Sequence, residues 1–365
     1  MMNPDSEQAL AEIVASAKSP FRIQGGGTRL HGAAQGNVLS TAGLSGIKLY
    51  EPGSLTLVAQ AGTPVSEIQK TLAKENQRLP FEPRDYRKLL GTSGEPTIGG
   101  VVATNSSGPR RIQAGACRDS LIGVRYVDGQ GEVIKNGGRV MKNVTGYDLV
   151  KLMAGAYGTL GVMTEVSFKV LPGIETTKTL LLHGLDVTRA VQAMSIGLGS
   201  PFEVSGAAQN IKQGLTALRL EGFASSVTYR MKGLRDLLKE FGEMEELEAG
   251  ASDEFWADVC DATQFAQDNG DLWRISVKPS DAAEVVARLP SDADVSLDWG
   301  GGLIWAVVPE GADVRSALGD VAGHATCLRG DAEMFHPEPA ALAALSEGLR
   351  RQFDPRGIFN TGMMG

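Results

Sequence analysis

The chain has 365 residues, of which 42% are hydrophobic and 21% charged, enough for two globular domains with separate cores. Its formal net charge of −8 argues against nucleic-acid binding, which depends on concentrated Lys and Arg. No apolar stretch approaches the roughly 20 residues of a membrane span, and the N-terminus lacks a basic region followed by an apolar one. The sequence predicts a cytoplasmic protein without a membrane span.

The cysteines give no sign of a disulfide framework or a metal centre. Cys117, Cys260 and Cys327 form no CxxC pair and no cluster with the four histidines. We therefore predict no metal site and no iron–sulfur cluster. Any electron transfer would depend on an organic cofactor.

The first predicted elements are a helix and two strands, with a glycine-rich loop between the strands. Apolar residues at helical spacing from Leu10 to Ala17 predict a helix that Ser19-Pro20 ends. A strand at 21–24, a loop at 25–32 and a strand at 38–41 follow. The order strand, glycine loop, strand places the glycines between two strands.

The rest of the first half combines strands with one long irregular segment. Residues 79–118 carry six glycines, more than a structural connector requires, and long loops in compact domains usually serve a function. The other predicted elements are a strand at 54–60, a helix that opens at 63–67, a hairpin of 121–127 and 132–134, a helix at 147–153 and a strand at 162–170.

The second half reads as strands and helices with fewer glycines. We predict strands near 178–183, 215–221, 272–277, 294–298, 302–308 and 324–328, with helices near 187–197, 226–241, 280–289 and 312–321. A helix at 339–352 and a tail at 353–362 end the chain. The pattern predicts an α+β fold with domains at 1–175 and 176–330 and a C-terminal helix and tail at 331–365.

The loop from Gly25 to Gly32 has two interpretations. Successive glycines let backbone N–H groups point into one concavity and offset the charge of a phosphate, or they simply form a tight turn between strands. The loop is not a Rossmann fingerprint, because G-x-G-x-x-G is absent and a strand follows. It is not a Walker loop either, because Ala33 and Ala34 stand where Lys and Ser/Thr are required.

A second segment makes the interpretation specific. Residues 96–111, PTIGGVVATNSSGPRR, resemble the second FAD loop of the vanillyl-alcohol-oxidase superfamily, whose domain is called PCMH-type. Blocks at 115–123, 142–149, 155–164 and 353–362 resemble this family in the same order. Together with LPFEP at 79–83 and LDWGGG at 297–302, they are similar to the family of FAD-binding GlcE subunits of bacterial glycolate oxidase.

The resemblance implies a two-part PCMH-type FAD-binding domain, a smaller α+β cap domain and a C-terminal tail that returns to the first domain. Matched position by position, it assigns the pyrophosphate to the first loop, the ribityl and ring to the second, and the adenine to a later strand. The predicted cofactor-binding residues are Gly25, Gly26, Gly27, Thr28, Arg29, Thr97, Gly99, Gly100, Thr104, Asn105, Ser106, Gly108, Arg118, Asp119, Gly161, Val162 and Met163.

FAD is expected to be bound non-covalently. Some members of the superfamily attach it through a histidine of the first loop or a later cysteine. Here His31 is displaced from the attaching position, and Cys117 lacks the proline expected after it.

The candidate catalytic residues are His336 and Arg110. Related 2-hydroxy-acid enzymes carry an H-x-G-D-G-N-x-H motif, which this sequence lacks, and its histidines are scattered. His336 precedes the returning tail. Arg110, Arg111 and Arg118 are the cations nearest the loops, where one could stabilise the reduced flavin ring, or instead form salt bridges with acidic neighbours.

The resemblance implies a subunit of a complex that oxidises glycolate to glyoxylate, with a catalytic FAD partner similar to the GlcD subunits of glycolate oxidase and an iron–sulfur subunit. Association with the inner membrane would pass through those partners. A non-catalytic assembly subunit and a stand-alone oxidase of another hydroxy acid stay open. Aromatic residues that could serve a partner surface, but fit a core better, are Phe255, Trp256, Trp273, Trp299 and Trp305.

Overall fold

Two β-sheets, one in each half of the chain, organise the fold. The computed structural model describes residues 1–29, 34–138 and 146–364, and no helix in these ranges is long and apolar enough to cross a membrane. The strands of the first half are β1 Phe21–Gln24, β2 Asn37–Ser40, β3 Ile47–Glu51, β4 Thr56–Gln60, β5 Gln77–Arg78, β6 Leu121–Val127, β7 Val133–Gly137, β8 Val162–Lys169 and β9 Leu171–Pro172. Its helices are α1 Glu7–Ala15, α2 Val65–Ala73, α3 Arg87–Leu90, α4 Ile98–Ala103, α5 Arg111–Ala114, α6 Cys117–Ser120 and α7 Leu149–Met153.

The first sheet is antiparallel, in the order β3-β4-β8-β6-β7. Alternate residues of its strands, such as Leu57 and Phe168, are fully buried. Helix α2 covers this face with Val65, Ile68 and Leu72, whose spacing of three and four residues places them on one side of the helix. The sheet forms a rigid base for the loops that follow its strands.

A smaller unit joins both ends of the chain. Strands β1 and β2 pair in parallel, and α1 packs its buried Leu10 and Val14 in the same cluster. The tail enters this cluster with Phe359, and the amide of Phe21 donates to the carbonyl oxygen of Ile358 at 2.7 Å. The predicted return of the C-terminal tail is confirmed.

The second sheet has eight antiparallel strands in the order β13-β10-β12-β11-β15-β16-β14-β17. Helices α8, α9 and α11 cover one face, while α10 buries Trp256 against the other. The strands are β10 Thr176–His183, β11 Gly206–Asn210, β12 Leu215–Gly222, β13 Met244–Leu247, β14 Asp271–Ser276, β15 Asp294–Asp298, β16 Leu303–Val308 and β17 His324–Arg329. The helices are α8 Val187–Leu198, α9 Ala224–Leu238, α10 Ala249–Asp261, α11 Ala282–Arg288 and, after the sheet, α12 Ala340–Phe353.

The predicted α+β class is confirmed, but one predicted element is wrong. The helix expected at 312–321 is a single 3-10 turn at Ser316–Leu318, because Gly311 and Gly319 have positive φ angles at its two sides. The first sheet ends at Lys169 and the second begins at Thr176. The domain boundaries at 175 and 330 stay a prediction.

Candidate functional site

A cavity of about 700 Å³ lies between the glycine loops of the first half and strands β14 and β17 of the second sheet. This size is in the range of roughly 300–1,000 Å³ that is usual for ligand pockets. Most of the predicted cofactor-binding residues line it, namely Gly25, Gly26, Gly27, Thr28, Arg29, Thr97, Gly99, Gly100, Thr104, Asn105, Ser106, Gly161 and Met163. The structure therefore brings the two glycine-rich segments to one space.

The two segments meet backbone to backbone. A Cβ added to Gly26 would overlap the carbonyl oxygen of Glu95, and one added to Gly94 would overlap the carbonyl oxygen of Gly26. Only glycine lets the two backbone segments approach this closely. The first loop is thus held against the segment that leads into α4.

The first loop offers free hydrogen-bond donors to the cavity. Within the described ranges, none of the backbone amides of residues 25–29 donates to a protein acceptor. The first backbone amides of α4 are already paired. Ile98 donates to the carbonyl oxygen of Thr63 at 3.0 Å, and Gly99 donates to that of Ala61 at 2.7 Å. The loop, and not the helix end, supplies the unpaired N–H groups.

Two further polar groups of the lining lack a partner among the residues that the structure describes. The hydroxyl of Ser106 is buried without a hydrogen bond, as is Nε of Arg29. Arg29 is held over the ring of Tyr86, 5.1 Å from its centre, and removal from water lowers the pKa of its guanidinium. Buried polar atoms of this kind are usually satisfied, so these two could bind a polar ligand in the cavity.

The returning tail completes the wall. Asn360 accepts a hydrogen bond from the amide of Ile23 at 2.8 Å and donates to the carbonyl oxygen of Tyr157 at 2.6 Å. All three residues line the cavity. Tyr157 stands in the left-handed region at φ 52 and packs edge-on against Phe335, with ring centres 4.8 Å apart.

We expect Asn360→Ala to lower the free energy of unfolding by about 1–2 kcal/mol, because two part-buried backbone groups lose their partner. FAD affinity should fall with it, since β1 and Tyr157 are no longer tied together. Thr361→Ala is the control, because its exposed hydroxyl bonds only to the nearby carbonyl oxygen of Gly357. Urea unfolding and FAD titration measure both effects; equal stability of the two variants would contradict the bridging role.

Four predicted cofactor residues do not line the cavity. The carbonyl oxygen of Gly108 accepts from Nε1 of Trp299 at 3.0 Å, and Val162 packs in the core with α1. The carboxylate of Asp119 accepts from the amide of Ala116 at 2.8 Å, while the side chain of Arg118 is half exposed. These residues support the loops from outside the cavity.

Arg110 is not in the cavity either. Its Nη2 and Nε contact both carboxylate oxygens of Glu221 at 2.6 and 3.0 Å, and its amide donates to Glu82 at 2.6 Å. These carboxylates raise the pKa of the guanidinium against the effect of burial. Arg110 therefore lies between the two halves of the chain, because Glu221 belongs to β12 of the second sheet, and its catalytic role stays a prediction.

His336 and Cys117 also lie outside the lining of the cavity. Nδ1 of His336 accepts from the amide of Ala325 at 3.4 Å, so this imidazole lies along β17 and not in the cavity. Burial and Arg315 lower its pKa. Cys117 is buried beside α4, and burial raises the pKa of its thiol. His31 lies outside the described residues.

Several lining residues were missed by the sequence analysis. Arg84 lies in the long irregular segment, and Arg274 and Arg329 come from strands of the second sheet. Arg329 donates to three backbone carbonyls and has a structural role. No local pattern marks these arginines, because their surroundings form only when the two halves pack together.

Comparison with known proteins decides the family. Residues 1–137 match the family described as FAD binding domain. The sequence is 36% identical to glycolate oxidase subunit GlcE of Escherichia coli K12, over 99% of this chain and 97% of that protein. The chain belongs to the GlcE family. It is accordingly an FAD-binding oxidoreductase subunit of the glycolate oxidase type.

Other relatives match about half of this GlcE-family chain. Glycolate oxidase subunit GlcD of Bacillus subtilis is 32% identical over 53% of the chain and 40% of its own length. Rat mitochondrial D-2-hydroxyglutarate dehydrogenase is 30% identical over 56% of the chain and 38% of its length. A solved structure of alkyldihydroxyacetonephosphate synthase covers 99% of the chain, with 76% of its own length matched, at a TM-score of 0.72 and 16% identity. That likeness confirms the PCMH-type fold.

Proposed function

We propose that this chain is the FAD-binding subunit of a complex that oxidises glycolate to glyoxylate and passes the electrons through its flavin to partner subunits. A GlcD-like FAD subunit and an iron–sulfur subunit are the partners, and any association with the inner membrane goes through them. The observation that carries the proposal is the similarity to GlcE over nearly the whole chain, together with a cavity in which two glycine-rich segments meet.

The cavity fits FAD chemically. The unpaired amides of residues 25–29 and the guanidinium of Arg29 would offset the diphosphate, as backbone N–H groups and cations do in other phosphate sites. Asn105 and Ser106 would bind the polar ribityl chain, and Gly161 and Met163 would contact the adenine. Bound FAD would supply an acceptor for one hydride, which carries the two electrons of the oxidation. Binding is non-covalent in this proposal, because the buried Cys117 does not line the cavity.

The lining also bears on where glycolate loses its protons. Within the described part of the chain, no histidine lines the cavity, and its acidic side chains are Asp331 and Glu333. A general base has to lie within hydrogen-bond reach of the proton it removes. What supports a shared task is the missing H-x-G-D-G-N-x-H motif; the GlcD-like partner then contributes to oxidation and this subunit contributes its flavin.

The complex tests the proposal directly. We expect anaerobic glycolate to bleach the flavin absorbance of the complete complex by an amount that includes the flavin of this subunit. A complex assembled with the Gly26→Ala chain should contain one FAD fewer and should turn over glycolate only at the background rate. Full activity in that FAD-depleted complex would instead assign the chain a purely structural role in assembly.

A further inference from the structure

Three guanidinium groups surround the indole of Trp299, within the LDWGGG segment. The centres of Arg111, Arg274 and Arg84 lie 4.3, 5.1 and 5.9 Å from the ring centre. Arg84 has a carboxylate partner, because its Nη2 lies 2.8 Å from Asp298 and both side chains are 1% exposed. The FAD loops do not explain this concentration of positive charge.

The other two arginines have no such partner. Among the residues that the structure describes, neither Arg111 nor Arg274 forms an ion pair or a side-chain hydrogen bond. Burial lowers the pKa of Arg274, and burial together with the charge of Arg274 lowers the pKa of Arg111. Two positive charges thus lie near the same indole, partly out of water, with no carboxylate of the described residues within 4 Å of either guanidinium.

The LDWGGG segment holds this arrangement in place. Trp299 adopts a left-handed backbone with φ 56, its amide donates to Asp298 at 2.7 Å, and its indole donates to Gly108 at 3.0 Å. The ring is therefore fixed between the two halves of the chain. Both arginine side chains are only partly exposed, and a cation–π contact leaves their N–H donors without an acceptor.

Arg274 is the member of this group that reaches the cavity. It lies on β14, between Trp305 of β16 and Thr326 of β17, and it lines the cavity with Tyr86 and Tyr157. Its planar fork of donors matches the two oxygens of a carboxylate. Arg111 does not line the cavity, and its guanidinium lies 4.3 Å from the centre of the indole ring.

We infer that Arg274, supported by the charge of Arg111, binds the carboxylate of a small 2-hydroxy or 2-oxo acid at the second-sheet wall of the cavity. The anion class follows from the unpaired arginines, whereas its identity as the glycolate class rests on the proposed function. The subunit then has a carboxylate subsite of its own, in addition to any site on its partner. Arg274 is the binding residue, and Arg111 and Trp299 are positioning residues.

Oxalate is the probe, because it presents the same carboxylate but is not oxidised at the flavin. The purified chain with bound FAD is titrated with oxalate, and binding is followed by the flavin difference spectrum and by calorimetry. We expect Arg274→Met to raise the Kd for oxalate about 100-fold, as loss of a buried charge partner does. Arg274→Lys keeps the charge without the fork and should have an intermediate Kd. FAD content should stay unchanged in both.

Arg235→Met is the matched control, since Arg235 lies on α9 in an ion pair with Glu246 and is 46% exposed. An unchanged oxalate Kd in Arg274→Met overturns the inference, and so does wild-type protein that contains FAD but does not bind oxalate. Loss of FAD from both Arg274 variants would also overturn it, because the arginine would then serve the cofactor.

Oxalate binding and glycolate oxidation, measured on the wild-type and Arg274→Met complexes, separate this inference from the proposed function. Oxalate binding through Arg274 in a complex that does not oxidise glycolate would contradict the function and leave the subsite in place. Glycolate oxidation together with an unchanged oxalate Kd in Arg274→Met would contradict the subsite and leave the function in place.

Discussion

Gly26→Ala is expected to weaken FAD binding at least about tenfold, which corresponds to more than about 1.4 kcal/mol, so that most of the FAD is lost on gel filtration. The added methyl group would overlap the carbonyl oxygen of Glu95, so the first loop has to move away from the segment before α4. That movement displaces the amides of residues 25–29 from the cavity. Flavin absorbance per chain measures the result.

Gly250→Ala is the control for this substitution. Gly250 lies in α10 with no atom within 4 Å of an added Cβ. There Ala stabilises the helix by roughly 0.5–1 kcal/mol, and FAD content should equal that of the wild type. A Gly26→Ala protein with a full complement of FAD would show that the close approach of the two segments is not needed for the cofactor.

Glu221→Gln is expected to lower the free energy of unfolding by about 3–5 kcal/mol. The carboxylate contacts Arg110 at 2.6 Å and Arg78 at 2.9 Å, and its side chain is 5% exposed. Removal of its charge leaves buried guanidinium groups without enough partners, at the junction of the first half and the second sheet. Urea unfolding, followed by tryptophan fluorescence and by circular dichroism, measures the loss.

Glu246→Gln is the matched control, because Glu246 pairs with Arg235 on a more exposed surface and such pairs contribute about 0–1 kcal/mol. Equal destabilisation by the two substitutions would contradict the role of Glu221. The pH dependence provides a second check. Despite burial, the hydrogen bond and charge of Arg110 hold the pKa of Glu221 below its ordinary value of 4.5. Its stabilisation is therefore complete above that pH and declines as the pH falls below it, a decline that Glu221→Gln should lack.

The sequence allowed the loops and most strands to be predicted because their signals are local. The alternating sequence pattern at 54–60 marks a strand, and successive glycines mark the loop at 25–27 whatever the rest of the chain does. The second glycine-rich segment carried enough matching positions to predict that both would share one ligand. The structure brings both to one cavity.

Positions that depend on long-range packing could not be predicted. Arg110 was expected at the flavin, but its partner Glu221 is 111 residues away and gives no local signal. Arg274 sits in an ordinary strand pattern, and its surroundings arise only when β14 faces the first half. Strand β11, with the sequence GAAQN, was missed because it has no β-branched residue and is defined by its neighbours β12 and β15.

The central claim is that the amides of residues 25–29 and the segment before and within α4 hold one FAD. The most direct test is the FAD content of the purified wild-type chain, before and after incubation with FAD and removal of the excess. We expect a yellow protein with one FAD per chain. Acid denaturation should release this FAD into solution with its flavin intact. A folded chain that is colourless and does not take up added FAD would contradict the account.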